Sequence, residues 1–177
     1  MDYTHHYESP LGGITLASDG EALTGLWFDG QRYFASTMDP DHEERPLPVF
    51  DRADDWLDTY FSGRAPGFTP PLSLRATPFR RAVWETLLAI PFGRIMTYGE
   101  IAGIIARQSG LPRVSARAVG GAVGRNPISL IIPCHRVVGA DGGLTGYAGG
   151  VHRKAWLLDM EKAPAGGICP PRGGTVE

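Results

Sequence analysis

Two hydrophobic rhythms run along this chain, one with a period near two at the start and one near 3.6 from residue 50 onward. Ser9-Pro10-Leu11-Gly12-Gly13 is a turn cluster, and Ile14-Thr15-Leu16-Ala17-Ser18 then alternates as a half-buried strand does. Asp19-Gly20 is a hairpin signal, Leu23-Thr24-Gly25-Leu26-Trp27-Phe28 is the partner strand, and Asp29-Gly30 closes it. Residues 38–48 are acidic and proline-bearing with no apolar period, which predicts a surface loop. Over 50–61, Phe50, Ala53, Leu57 and the pair Tyr60 and Phe61 recur at spacings of three and four. That is an amphipathic helix with Asp51, Asp54, Asp55 and Asp58 on its outer face.

Residues 62–77 are rich in proline and glycine and read as a linker. Thr77 is an N-cap with Pro78 at the first helical position, and Phe79, Val83, Leu87 and Ile90 stripe a helix that Pro91-Phe92-Gly93 ends. Thr97 and Glu100 stand in capping-box spacing ahead of Ile101, Ile104 and Ile105. A turn at Ser109-Gly110-Leu111-Pro112 leads to a third helix near Ser115. With Arg113, Arg117 and Arg125 at or near its second helix, this is the outline of a helix-turn-helix. The third helix is nearly bare: Ala116, Ala118, Gly120, Gly121, Ala122 and Gly124. Each glycine costs a helix roughly 1 kcal/mol against alanine. Close approach of the backbone to another surface, a narrow groove above all, would repay that cost.

The apolar run 130–132 reads as a buried strand that stops at Pro133 and delivers Cys134-His135-Arg136 to one spot. Six glycines around Tyr147 in 138–150 make a loop that can lie against a ligand. A last helix spans 151–162, with Ala155, Leu158 and Met160 among its apolar positions, and 163–177 is expected to be a loosely attached tail.

Composition narrows the class. Of the 177 residues 42% are hydrophobic and 20% charged, as in a soluble globular protein, and no run is long enough to span a membrane. The N-terminus shows no signal peptide. Two cysteines, Cys134 and Cys169, are too few for a disulfide framework, so a reducing cytoplasm is the expectation. Net charge is −2. Residues 1–76 carry 13 acidic and 5 basic side chains, and residues 77–177 carry 6 acidic and 12 basic, ten of them Arg. Such polarity suits a C-terminal half that meets a polyanion, or two halves that attract each other.

A free thiol has a pKa near 8.5, so only about 3% is thiolate at pH 7, and attack on carbon needs an activating base. His135 is adjacent in sequence, but along an extended strand neighbours point to opposite faces, so a relay requires a turn. A carboxylate should orient that base. Asp141, Asp159 and Glu161 remain open on these grounds.

The segment Ile-Pro-Cys-His-Arg-Val, with Arg117-Ala118-Val119-Gly120-Gly121-Ala122 and Asn126-Pro127, closely resembles the O6-alkylguanine-DNA alkyltransferases. Ser9-Pro10-Leu11-Gly12, Thr77-Pro78-Phe79, Thr97-Tyr98-Gly99-Glu100-Ile101-Ala102 and Gly146-Tyr147 through Trp156-Leu157-Leu158 also resemble family segments. The resemblance implies an α+β chain. A small ribonuclease H-like sheet-plus-helix domain (1–76) would be followed by a winged-helix-like, mostly helical domain (77–162) carrying the helix-turn-helix. It implies single-use, irreversible transfer of an alkyl group from O6 of guanine, and from O4 of alkylated thymine, in duplex DNA to Cys134. His135 would deprotonate Cys134 through a water, Glu161 would hold His135, and Asn126 would brace the turn. Tyr98, Tyr147, Val137, Ala148 and Ser129 would contact the flipped base. Arg117 would fill the gap in the duplex while Ala118, Gly121 and Arg125 meet the minor groove. No cofactor, no metal, no membrane and a monomer are implied. Ser129 stands where other members carry a bulkier or stiffer residue, which bears on alkyl size.

Three rivals use parts of the same pattern. A cysteine peptidase or acyltransferase would turn over and has no use for an Arg-bearing, glycine-rich helix. A helix-turn-helix regulator needs side chains to read bases, and 118–124 offers few. An alkyltransferase-like protein without the thiol is opposed by Cys134. A metal site from His5, His6 and His42 is the remaining alternative; solvated side chains are the expectation there.

Overall fold

A computed structural model describes residues 1–144 and 146–162; the expected tail and Cys169 lie outside them. The chain forms two compact units. One comprises Met1–Arg75 with Pro127–Ile131, and the other Ala76–Asn126 with the chain from Ile132 onward.

In the first unit, strands β1 (Asp2–Ser9), β2 (Gly12–Ser18), β3 (Leu23–Phe28) and β4 (His42–Glu44) make one sheet in the order β3-β2-β1-β4. The β1–β2 and β2–β3 pairs are antiparallel, and β1–β4 is parallel. Hydrophobic pattern does not announce β1, because its first inward positions are the polar Asp2 and Thr4. Asp2 is buried at no loss of hydrogen bonds. Arg75 donates to both of its oxygens at 2.9 and 3.0 Å and the Asp39 N–H donates at 2.8 Å.

Two expectations need correction here. Ile14 to Ser18 are all buried, not half-buried, because β2 is a central strand covered on both faces. The 38–48 loop contains β4, which is wholly exposed and pairs through its backbone alone, so it leaves no apolar pattern. The outer edge of β3 is occupied by single parallel bridges from Leu72 to Leu23 and from Ile128 to Leu26. Helix α1 (Pro48–Phe61) starts on Pro48 and buries Val49, Phe50, Ala53, Trp56, Leu57 and Tyr60. Part of its acidic face is engaged: Asp54 accepts from His5 at 2.9 Å and Asp58 from Tyr7 at 2.6 Å.

The second unit holds α2 (Pro78–Leu88), α3 (Tyr98–Ser109), α4 (Ala116–Gly124) and α5 (Val151–Lys162). A short parallel ladder joins β5 (Met96–Thr97) to β6 (Val137–Val138). The local start signals act as read. Thr77 Oγ1 accepts from Arg80 N–H, Ser115 Oγ from Ala118 N–H, and Thr97 and Glu100 close a reciprocal capping box. Gly110, left-handed at φ 66°, ends α3. Trp84 of α2 donates from Nε1 to the Ala122 carbonyl at 2.8 Å, pinning α4 to α2. Among the described residues no helix is long and apolar enough to cross a membrane.

Candidate active site

The run ending at Cys134 is not a strand. Ile131 N–H donates back to Ser129 O at 2.8 Å across Leu130, whose φ is +72°. Cys134 N–H donates back to Ile132 O at 2.8 Å across Pro133, at φ −80° and ψ 67°. Both are three-residue turns, the second an inverse γ-turn. Leu130 pays strain of about 1–3 kcal/mol for its left-handed backbone. The amide of Asn126 adds a donor at 2.7 Å to the same Ile132 carbonyl. That carbonyl thus takes two donors, which locks the corner that presents the sulfur.

Cys134, His135 and Arg136 form one turn of 3-10 helix, all buried, and the Val137 N–H caps it on the Cys134 carbonyl. Successive side chains around such a turn are separated by about 120° rather than the 180° of a strand. The adjacent thiol and imidazole are therefore not on opposite faces, as they would be along a strand.

Glu161, on the buried face of α5, gathers this turn. It accepts from His135 Nε2 at 2.6 Å, from Arg136 Nε at 2.9 Å and Nη2 at 3.1 Å, and from the Gly93 N–H at 3.0 Å. Arg136 also donates from Nη1 to the Ile90 carbonyl at 2.7 Å. Burial opposes ionisation of Glu161, but His135 and Arg136 outweigh it and hold the carboxyl far below its usual range. An ionised carboxylate only accepts, so Nε2 of His135 carries the proton and Nδ1 carries the lone pair. Burial lowers the His135 pKa despite Glu161, with Arg136 pushing the same way, so the imidazole is neutral near pH 7 and able to take a proton. Of the three carboxylates left open by spacing, Glu161 is the one hydrogen-bonded to His135.

Burial raises the Cys134 pKa, and Asn126, Lys154 and nearby backbone N–H groups oppose that rise. Tyr147 is buried, its hydroxyl has no hydrogen-bond partner among the described residues, and its ring meets His135 edge-on at 6.5 Å between centroids. Burial and then the Cys134 charge raise the pKa of Tyr98. A Cβ on Gly120 of α4 would lie 3.8 Å from the Tyr98 ring, and one on Gly146 would lie 3.3 Å from its hydroxyl. Val137 is fully buried in β6 and Ala148 is half-buried in the glycine loop.

Ser129 is buried within the first unit. Its N–H donates to Leu26 O at 2.9 Å, and its hydroxyl donates to Gln31 Oε1 at 3.4 Å. The N–H bond gives a physical reason against proline at this position.

On α4, Val119, Ala122 and Val123 face inward, whereas Arg117, Ala118, Gly121 and, at the C-cap, Arg125 are exposed. A Cβ on Gly121 or Gly124 would meet nothing within 4 Å among the described residues. Packing within those residues therefore does not explain their lack of side chains.

The histidines considered for a metal are occupied otherwise. His5 pairs with Asp54, His6 stands 3.4 Å from the Thr15 hydroxyl, and His42 contacts the Asp39 carbonyl at 2.9 Å. The sequence pattern assigned no role to Lys154 or Arg136; for Lys154, a charge among the apolar positions of α5 was the available signal.

Two family models together span nearly the whole chain. Residues 3–74 match the 6-O-methylguanine DNA methyltransferase ribonuclease-like domain, and residues 78–163 match the DNA binding domain of the same family. A methylated-DNA–protein-cysteine methyltransferase of Mycobacterium bovis is 47% identical over 165 residues, covering 90% of this chain and 94% of its own. One from Haemophilus influenzae is 41% identical over 163 residues, covering 92% and 87%. The solved structure of Mycobacterium tuberculosis OGT in complex with DNA superposes with a TM-score of 0.79 at 45% identity, covering 91% of this chain and 93% of that one.

Proposed function

The chain belongs to the 6-O-methylguanine DNA methyltransferase family, and from that premise we propose that Cys134 is the acceptor in a single-use repair of alkylated duplex DNA. The activity itself is methyl transfer from methylated DNA to a protein cysteine, in repair of O6-methylguanine. The assignment of its parts to residues is our reading.

A base inside the stack cannot present its O6-alkyl carbon to a protein sulfur, so it is flipped out at a cost of a few kcal/mol. Arg117 fills the space it leaves. The bare face of α4 at Ala118, Gly121 and Gly124 lies in the minor groove, with Arg125 toward the backbone. That a relative has been solved with DNA supports this docking.

Nδ1 of His135 takes the thiol proton through a bridging water, and Glu161 steadies the imidazolium that forms, while Arg136 holds the carboxylate in place. The sulfur then bonds to the alkyl carbon as the carbon–oxygen bond breaks. The leaving guanine takes a proton from Tyr98, and Tyr147 donates a hydrogen bond towards O6. Tyr147 is suited to that: its buried hydroxyl has no partner among the described residues, and a hydroxyl left so costs about 1–3 kcal/mol until a ligand satisfies it. Val137 and Ala148 present backbone groups to the base. Thymine alkylated at O4 offers the same kind of carbon and falls within the proposed range. The protein acts as a monomer, and an unprotected reactive thiol fits a reducing cytoplasm.

The buried hydrogen bond from His135, the neighbour of Cys134, to Glu161 supports this reading, since it orients a base beside the acceptor; the thioether formed on the sulfur has no leaving group that would restore the thiol. Incubation with duplex containing O6-methylguanine should add the mass of one methylene to a peptide containing Cys134, one event per molecule. Addition at Cys169, or repair with turnover and no protein modification, contradicts it.

A further inference from the structure

Helix α4 lacks most of what holds a helix together locally. Its nine residues fall short of the roughly 12–15 that a helix needs to persist alone in water, and three of the nine are glycine. Its outer face, at Ala118, Gly121 and Gly124, offers no long side chain to brace it. Its C-cap, Arg125, has φ −94° in place of the left-handed backbone with which Gly110 closes α3. The last turn also tightens: the N–H groups of Arg125 and Asn126 donate three residues back, to the Ala122 and Val123 carbonyls, each at 3.2 Å. The hold comes instead from the inner face, where Val119, Ala122 and Val123 are buried and α4 packs on α2 and α3. On that side Trp84, 1% exposed, donates from Nε1 to the Ala122 carbonyl at 2.8 Å, a shorter bond than the one from Arg125. A tryptophan needs no such bond to fill a core: Trp27 is equally buried, and its Nε1 has no partner among the described residues. The donor on α4 comes from 38 residues away and meets one of the carbonyls that a helix end leaves open.

We propose that Trp84 is the positioning residue of the DNA-meeting helix: its indole N–H caps α4 from α2 and fixes the depth at which the bare face enters the groove. A face that must lie against a groove cannot carry the side chains that would stabilise its own helix. The stabilising contact is therefore moved to the opposite face and made to a backbone atom, which leaves the outer surface free. Trp84 acts through α4 and has no part in the transfer chemistry. Without the N–H, α4 is docked for only a fraction of the time, and the apparent affinity for duplex falls in proportion to that fraction.

The inference rests on α4 meeting DNA, and its test separates the two. Trp84→Phe keeps an aromatic ring in the core and removes the donor. Single-turnover methyl transfer is measured against concentration for a duplex containing O6-methylguanine and for the free O6-methylguanine base, which needs no helix to deliver it. With the duplex, the half-saturating concentration should rise about fivefold or more; with the free base, the rate should stay within about twofold of the parent. An equal loss on both substrates marks a general structural role and overturns the proposal, as does an unchanged half-saturating concentration in a folded variant. Parent-like duplex affinity in Arg117→Ala as well would instead remove α4 from the interface, and the proposal with it. Hydrogen exchange on the unaltered chain gives a second arm that needs no variant. The chain has four tryptophans, so nitrogen-15 labelling gives four indole N–H resonances to follow. The Trp84 indole proton should be protected to within about threefold of the amides of residues 120–124, because its bond opens only when the helix does. Protection more than about tenfold weaker than theirs would show α4 held without it, and overturns the proposal whether or not Trp84→Phe folds.

Discussion

Glu161→Gln is the sharpest perturbation of the site, because that carboxylate is held by a set of donors. Its oxygens accept hydrogen bonds from His135 Nε2, Arg136 Nε and Nη2, and the Gly93 N–H. Glutamine keeps the shape but turns one oxygen into an NH2 facing donors, and it removes the carboxylate paired with a guanidinium that is 7% exposed. Breaking a buried pair by removing one partner costs about 3–5 kcal/mol. For a chain of this size each kcal/mol moves the melting temperature by roughly 2–4 °C, so a fall of about 6–20 °C in thermal unfolding at pH 7 is expected. The pH dependence has a definite sign. A carboxyl with a depressed folded pKa stabilises above its unfolded value and loses that contribution as pH falls through the folded one. The gap between parent and variant should therefore hold from neutrality to about pH 4.5, where free glutamate titrates, and close only below it. Methyl transfer at 25 °C, followed by gel shift or mass, should slow about a hundredfold or more from loss of the oriented base. A variant within about 1 kcal/mol of the parent by urea unfolding and with an unchanged transfer rate would refute the argument. A gap that closes near pH 7 would place the stabilising titration on another group.

Three further outcomes follow from the glycines. Gly121→Ala should stabilise α4 by about 0.5–1 kcal/mol, since the new methyl meets open space; duplex binding by fluorescence anisotropy should nonetheless weaken, and unchanged affinity would remove this face from the interface. Gly146→Ala combines a left-handed backbone at φ 79° with a methyl 3.3 Å from the Tyr98 hydroxyl. It should cost about 1–2 kcal/mol in urea unfolding and slow methyl transfer as Tyr98 shifts; normal kinetics would count against a role for Tyr98. Gly25→Ala places a methyl within the indole of Trp27 in the first unit. A loss of about 1–3 kcal/mol, with the transfer rate of the folded fraction unaltered, is expected in a combined unfolding and activity measurement.

What the sequence determined by itself was local. Thr77 with Pro78, Thr97 with Glu100, and Ser115 start their helices through contacts three residues long, so type and spacing suffice to read them. The bareness of α4 and the specific segment around Cys134 likewise pointed to DNA and to the acceptor without any coordinates. Strand β1 stayed hidden because its buried Asp2 depends on Arg75, 73 residues away. The run before Cys134 reads as a strand by hydrophobicity alone. Its tight turns are imposed by partners outside it, Leu26 for Ser129 and Asn126 for Ile132. Spacing alone left Asp141, Asp159 and Glu161 open and the family resemblance selected Glu161, but the use of Arg136 and the burial of Lys154 were decided by the docking of α5 on the 3-10 turn. A side chain's charge is legible in sequence, but its dielectric surroundings and its partners are not. At this thiol those surroundings set whether the sulfur is ionised, and only the tertiary structure supplies them.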